Sequence, residues 1–156
     1  MDSIFKYIAT LGFIGYLPAA PGTFGTLCAF LVFILLKPSS FLHLLILLII
    51  IPVGILSAHR AEILLNDKDS RHIVVDEFCG FFFSLIAIPF SISHLLIAFF
   101  LFRIFDILKP FPIRTIESSL SGGIGIMADD IMAAIYTNII LQILLIIVNP
   151  GFFSFS

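Results

Sequence analysis

The sequence predicts an all-α, multi-pass membrane helical bundle with four to five membrane helices and an N-terminal interfacial helix. Three observations carry this expectation. Of the 156 residues, 60% are hydrophobic and 12% are charged, whereas soluble domains average about 45–50% and about 25%. The mean hydropathy is +1.21, yet a domain of roughly this length leaves about 30% of its unfolded-chain surface exposed, more than so few charges can cover. The apolar residues also gather into five stretches, Phe24–Leu36, Phe41–Ser57, Val74–Phe90, Ile92–Leu108 and Ile131–Val148. The same figures disfavour a soluble globule and a disordered chain. A net charge of −2 and a pI near 6.0 offer no basic surface to nucleic acid.

The elements follow in chain order within a single domain, residues 1–156. The opening MDSIFKYIATLGFIGYLPAA ends in small residues, as a signal peptide does. No basic region precedes its apolar part and Lys6 interrupts it, so a mature interfacial helix is expected. PAAPGTFGTL then offers two readings. It is a tight loop presenting amides and hydroxyls, Thr23 among them, to a lipid head group, or it is an interfacial turn.

A straight crossing needs about 17–25 apolar residues. Phe24–Leu36 falls short and suits a re-entrant or shielded segment, whereas Phe41–Ser57 and Ile131–Val148 qualify. The third and fourth stretches qualify only by taking in Asp76 and Glu77, or Arg103 and Asp106. Pro52 and Pro89 are tolerable kinks. Cys28 and Cys79 fit small hydrophobes rather than a disulfide framework.

Basic residues orient the set. Arg60, Lys68 and Arg71 lie after the second stretch, and Arg103, Lys109 and Arg114 at the end of the fourth. Lys37, His94 and the uncharged tail Gly151–Ser156 fall on the other side. The positive-inside rule puts the two basic loops and the N-terminus in the cytoplasm and the C-terminus outside.

Half of the ten acids occupy three short patches: VVDEFCG (Asp76, Glu77), FRIFDILKPFPIR (Asp106) and GGIGIMADD (Asp129, Asp130). An ionised side chain at a membrane-helix centre costs about 2.5–3.5 kcal/mol on insertion scales. Any one of these acids is explained by an interfacial helix end and its macrodipole. Three patches converging on one side, with matching cations, call for pairing or a bound metal.

On a helix, Arg103, Asp106 and Lys109 follow i, i+3, i+6 and form one polar edge, ended by Pro110 and Pro112 with Arg114 beyond. That edge is a snorkelling anchor with an internal ion pair, or a phosphate-binding edge with Asp106 facing a metal. Gly122, Gly123 and Gly125 suit a turn whose amides face an anion at the start of the fifth helix, or a plain connector. No Lys-Ser/Thr follows, so it is not a P-loop. Asp129 beside Asp130 suits a hard divalent cation, Mg2+ above all.

Several phosphatase chemistries are absent. An Arg six positions after a nucleophilic Cys would fall at Ile34 or Leu85. Asp67–Arg71 imitates a nucleophilic-aspartate motif, but Arg71 stands where Thr or Val belongs. There is no Pro-Ser-Gly-His stretch and no Asp-Gly pair. The four histidines, His43, His59, His72 and His94, lack metal-ligand spacing.

VVDEFCG, FRIFDILKPFPIR and GGIGIMADDIMAAIY, in that order and preceded by PGTFGTL, resemble the phosphatidylglycerophosphatase A family over roughly residues 12–140. The resemblance implies an all-helical, Mg2+-dependent phosphomonoesterase of the bacterial inner membrane. Such an enzyme converts phosphatidylglycerophosphate to phosphatidylglycerol in phospholipid synthesis, with its active site facing the cytoplasm and no obligate protein partner. Asp76 and Glu77 match the family's Asp-Glu pair. Arg103, Asp106, Lys109 and Arg114 match its Arg-x-x-Asp-x-x-Lys-Pro-x-Pro-x-Arg stretch, and Asp129 and Asp130 its Asp pair. Asp69 also sits at a family Asp position, whereas Ser121 stands where some members have His.

The implied site has Asp76, Glu77, Asp129 and Asp130 as metal ligands and Asp106 as a further ligand or base. Arg103, Lys109 and Arg114 would sit on phosphoryl oxygens, with Thr23, Gly122 and Gly123 as substrate contacts. Both in-line attack by water and an aspartyl-phosphate intermediate fit this set. The alternative is a small ion or proton transporter using the acidic cluster. It predicts carboxylates spread through the bilayer depth, and the opposite side is nearly free of them. A non-catalytic assembly subunit finds no positive support.

Overall fold

The computed structural model describes residues 2–68 and 70–148. They form α1 (Asp2–Ala9), a 3-10 turn (Ile14–Tyr16), α2 (Pro21–Leu36), α3 (Ser40–Leu65), α4 (Val75–Ser84), α5 (Ile92–Leu108), α6 (Ile113–Ser119) and α7 (Gly122–Val148). No strand occurs among the described residues, so the all-helical expectation holds.

Two helices, α3 with 26 residues and α7 with 27, are long and apolar enough to cross a membrane. At 1.5 Å per residue each reaches about 40 Å, against a hydrocarbon core of about 30 Å. The expected four to five crossings are thus matched by length and composition at two. α2 and α5 are shorter, at 16 and 17 residues. Leu35, Leu48, Ile49, Phe100 and Ile147 stand exposed on the outer faces, an apolar surface that suits lipid contact rather than water.

The short helix α4 sits centrally, packed against α7, α2, α3 and α5, while α1 lies on α3. Its Phe81 and Phe82 are fully buried. Phe82 meets Phe33 edge-on at 5.3 Å, and Phe81 meets Phe102 at 6.4 Å. These offset aromatic contacts join α2, α4 and α5.

The stretch expected as one helix over Val74–Phe90 stops at Ser84 instead. Asn138 of α7 donates from Nδ2 to the carbonyls of Ser84 (2.9 Å) and Ile86 (2.8 Å), and Gln142 holds the Asn138 amide at 2.9 Å. A helix end within an apolar bundle is tolerable only when its carbonyls are satisfied, and the Asn138 amide, held by Gln142, bonds two of them. Pro89 then disfavours resumption of the helix. At about 15 Å, α4 is too short to span.

Two further boundaries differ. α7 begins at Gly122, ahead of the expected Ile131. A Cβ on Gly123 would collide with the Ile55 carbonyl of α3, so this glycine lets α3 and α7 close together, as small residues do in membrane bundles. The PGTFGT segment is neither loop nor turn but the start of α2, with Pro21 in its first turn. Thr26 is buried and donates to the Gly22 carbonyl at 3.0 Å.

The segment before α4 is tied to the N-terminal region. Val74 N–H donates to Ala9 O at 2.9 Å, and His72 Nδ1 bonds the Gly15 carbonyl at 2.8 Å. These contacts fix where the first turn of α4 emerges.

Candidate active site

The start of α2, the segment entering α4, the end of α5 and the third turn of α7 enclose a cavity of about 290 Å3. Its lining includes Asp76, Glu77, Asp106, Asp129 and Asp130 facing Arg71, Arg103 and Lys109, which leaves a formal excess of two negative charges. Four elements distant in sequence therefore deliver nearly all the chemistry-bearing residues to one place.

Asp76 and Glu77 occupy the first turn of α4, where the helix dipole favours acids. Asp130 reaches them from α7, and ligand oxygens of the three lie within 4.8 Å of one another. Asp76 Oδ1, Glu77 Oε2 and Asp130 Oδ1 are buried and have no hydrogen-bond partner among the described residues. Burying several uncompensated carboxylates together is costly through desolvation and mutual repulsion. An all-oxygen donor set with free oxygens fits a hard divalent cation, so the group could hold a metal ion.

Two of the lining cations are paired with acids of the cavity, for the most part outside this trio. Arg103 Nη1 lies 2.6 Å from Asp106 Oδ2, one helical turn on, and 3.8 Å from Glu77 Oε1. Its Nε is buried and makes no hydrogen bond among the described residues. Lys109 ends α5 in a left-handed conformation, φ 44°, and its Nζ donates to Asp129 Oδ2 at 2.7 Å. Asp129 thus stands with Lys109, outside the trio around Asp130.

Gly22 lets the start of α2 lie close against the Glu77 and Arg103 side chains. A Cβ there would collide with Glu77 Oε1 and come within 3.2 Å of Arg103 Nη2. The glycine leaves room for the ion pair behind it.

Other candidate residues fall elsewhere. Thr23 does not line the cavity. Gly122 and Gly123 pack near His59 and Ile55 of α3. Arg114 is exposed on α6 and lines a neighbouring groove that Lys109 shares. Asp69 and the tail Gly151–Ser156 lie outside the described residues.

Ala20, Pro21, Gly22, Ser70, Arg71 and Ile73 also line the cavity, and none of them is expected at the acidic site from the sequence. Arg71 counts in the sequence as a topology signal and as the mismatch in a nucleophilic-aspartate motif, although a cation shortly before the Asp-Glu pair is itself a hint. Gly22 and Gly25, spaced i, i+3, signal close packing once PGTFGT is taken as helix.

The sequence model of the family described as Phosphatidylglycerophosphatase A matches residues 7–145. Phosphatidylglycerophosphatase A of Haemophilus influenzae is 42% identical over 131 residues, 81% of this chain and 79% of its own length. Phosphatidylglycerophosphatase A of Escherichia coli strain K12 is 36% identical over 123 residues, 78% of this chain and 72% of its own. A candidate phosphatidylinositol-3-phosphatase of Bacteroides thetaiotaomicron is 36% identical over 138 residues, 83% and 86% of the two chains. No solved structure matches the chain. On this similarity across most of its length, and with the family's acidic and basic motifs gathered around one cavity, the chain belongs to the phosphatidylglycerophosphatase A family.

Proposed function

We propose that this protein hydrolyses the terminal phosphomonoester of phosphatidylglycerophosphate, giving phosphatidylglycerol and inorganic phosphate, with Mg2+ as cofactor. The observation that carries the proposal is the buried trio Asp76, Glu77 and Asp130 facing Arg103 and Lys109 across one cavity in a chain of this family. We place the site at the cytoplasmic face of a bacterial inner membrane, with α2 and α5 joining α3 and α7 as membrane helices. The basic residues on the proposed cytoplasmic side support that orientation.

In this reading Asp76, Glu77 and Asp130 hold the cation. A divalent ion there supplies Lewis-acid stabilisation of charge on the phosphoryl group. Arg103, fixed by Asp106 and Glu77, turns its guanidinium toward the phosphoryl oxygens. Lys109, fixed by Asp129, offsets the charge that develops as the phosphorus–oxygen bond to glycerol breaks. Asp106 accepts the proton of the attacking water. The water oxygen bonds to phosphorus as the phosphorus–oxygen bond to glycerol breaks; Asp106 returns its proton to the leaving glycerol oxygen, which becomes the free hydroxyl of phosphatidylglycerol, and inorganic phosphate is released.

The test is phosphate release from phosphatidylglycerophosphate in mixed micelles by purified protein, before and after EDTA and again with added Mg2+. Release that EDTA abolishes and Mg2+ restores is expected. No release, or release indifferent to EDTA, overturns the assignment.

A further inference from the structure

Beside the acidic cavity lies a groove of about 450 Å3 between the end of α5 and the start of α6, lined by Leu108, Lys109, Phe111, Arg114 and Thr115. We propose that this groove is a second anion site, which takes the phosphodiester of the lipid head group while the monoester enters the acidic cavity. The proposal rests on the phosphatase reading above and extends it from reaction to selectivity.

Four observations support it. Lys109 lines both spaces, and its Nζ, fixed at 2.7 Å from Asp129 Oδ2, puts a positive charge at their boundary. Arg114 adds a second cation in the groove alone. A guanidinium is suited to two-pronged hydrogen bonding of phosphate oxygens.

The groove is also held in register with the cavity. Tyr136 of α7 donates from its hydroxyl to Phe111 O at 2.9 Å, and its ring meets Phe105 edge-on at 5.6 Å. The turn between Lys109 and Arg114 is thereby bound to the helix that carries Asp129 and Asp130.

Finally, the rim is apolar. Leu108 and Phe111, which line the groove, and Ile107 beside them are exposed, Phe111 at 83%, and offer the diacylglycerol end an apolar surface next to Arg114. This matches a lipid whose two phosphates sit at opposite ends of a short polyol. Each phosphate carries its own charge, and one cradle cannot hold both. A lipid with a single phosphate, such as phosphatidate, fills the acidic cavity and leaves Arg114 without a ligand.

The test measures kcat/KM of the full-length protein and its Arg114→Ala and Arg114→Lys variants on phosphatidylglycerophosphate and on phosphatidate. Arg114→Ala is expected to lower kcat/KM for phosphatidylglycerophosphate by about 10–100-fold, mainly through KM, as loss of a charge-assisted phosphate contact does. The loss on phosphatidate is expected to be about threefold or less, with Arg114→Lys intermediate on the two-phosphate lipid. Equal losses on both lipids, or no loss on either, overturn the second site alone. Wild-type protein that releases no phosphate from phosphatidylglycerophosphate overturns the phosphatase reading and the second site with it.

Discussion

Lys109 Nζ and Asp129 Oδ2 lie 2.7 Å apart, joining the end of α5 to α7 across 20 positions of sequence. The lysine carries φ 44° at this helix end, a conformation unfavourable for a residue with a side chain. The ion pair makes Asp129 the residue that aims Lys109.

If so, the two act as one unit. Lys109→Ala and Asp129→Asn are each expected to lower kcat/KM for phosphatidylglycerophosphate by about 10²–10³-fold, the range for losing one charge-stabilising donor. The double variant should be no worse than the poorer single one, because coupled residues are non-additive. Multiplying losses would show that they work independently.

Gly22 and Gly123 separate function from folding. The atom a Cβ would strike at Gly22 is the tip of the Glu77 side chain, whereas at Gly123 it is the Ile55 backbone carbonyl. Gly22→Ala should therefore displace Glu77, reducing activity at least about tenfold (some 1.4 kcal/mol in the barrier), with little change in Tm. Gly123→Ala should instead force α3 and α7 apart and lower Tm. Thermal unfolding in detergent beside activity measures both, and the reverse pattern would contradict these packing assignments.

The acidic trio gives a prediction with two signs. Mg2+ should raise the Tm of the wild-type protein, since a ligand that binds only the folded state stabilises it. Asp130→Asn should abolish that rise and the phosphate release together. In EDTA the same variant should be more stable than wild type, because one of three crowded carboxylates has lost its charge. An Mg2+ response that survives Asp130→Asn removes Asp130 from the metal set.

Direct attack by water leaves no phosphate on the protein. Rapid acid quench during turnover of substrate labelled in its terminal phosphate should find no label attached to the chain. A trapped acyl phosphate on any cavity carboxylate would replace water attack with a two-step route.

The extent of α5 was legible because its apolar run is bounded and Pro110 and Pro112 mark its end, and the structure begins and ends it at Ile92 and Leu108. The end of α4 was not legible. Val74–Phe90 reads as one apolar run, and what stops the helix at Ser84 is the amide of Asn138, 54 positions away in sequence. The N-terminal glycine segments were ambiguous for a similar reason. Loop and packed helix demand the same small residues, and only the neighbour, Glu77 or Ile55, tells which is meant.

Composition, run length and local motif are enough to read off the helical class, the apolar surroundings and the inventory of acids and bases. Tertiary structure decided which of those groups cooperate. It put Asp130 with Asp76 and Glu77, gave Asp129 to Lys109, brought Arg71 and Gly22 to the cavity, and set Arg114 in the groove next door. The physical reason is that Coulomb and hydrogen-bond energies depend on distance between side chains. In a helical bundle those distances are set by how the helices pack, not by how far apart the residues stand in the chain.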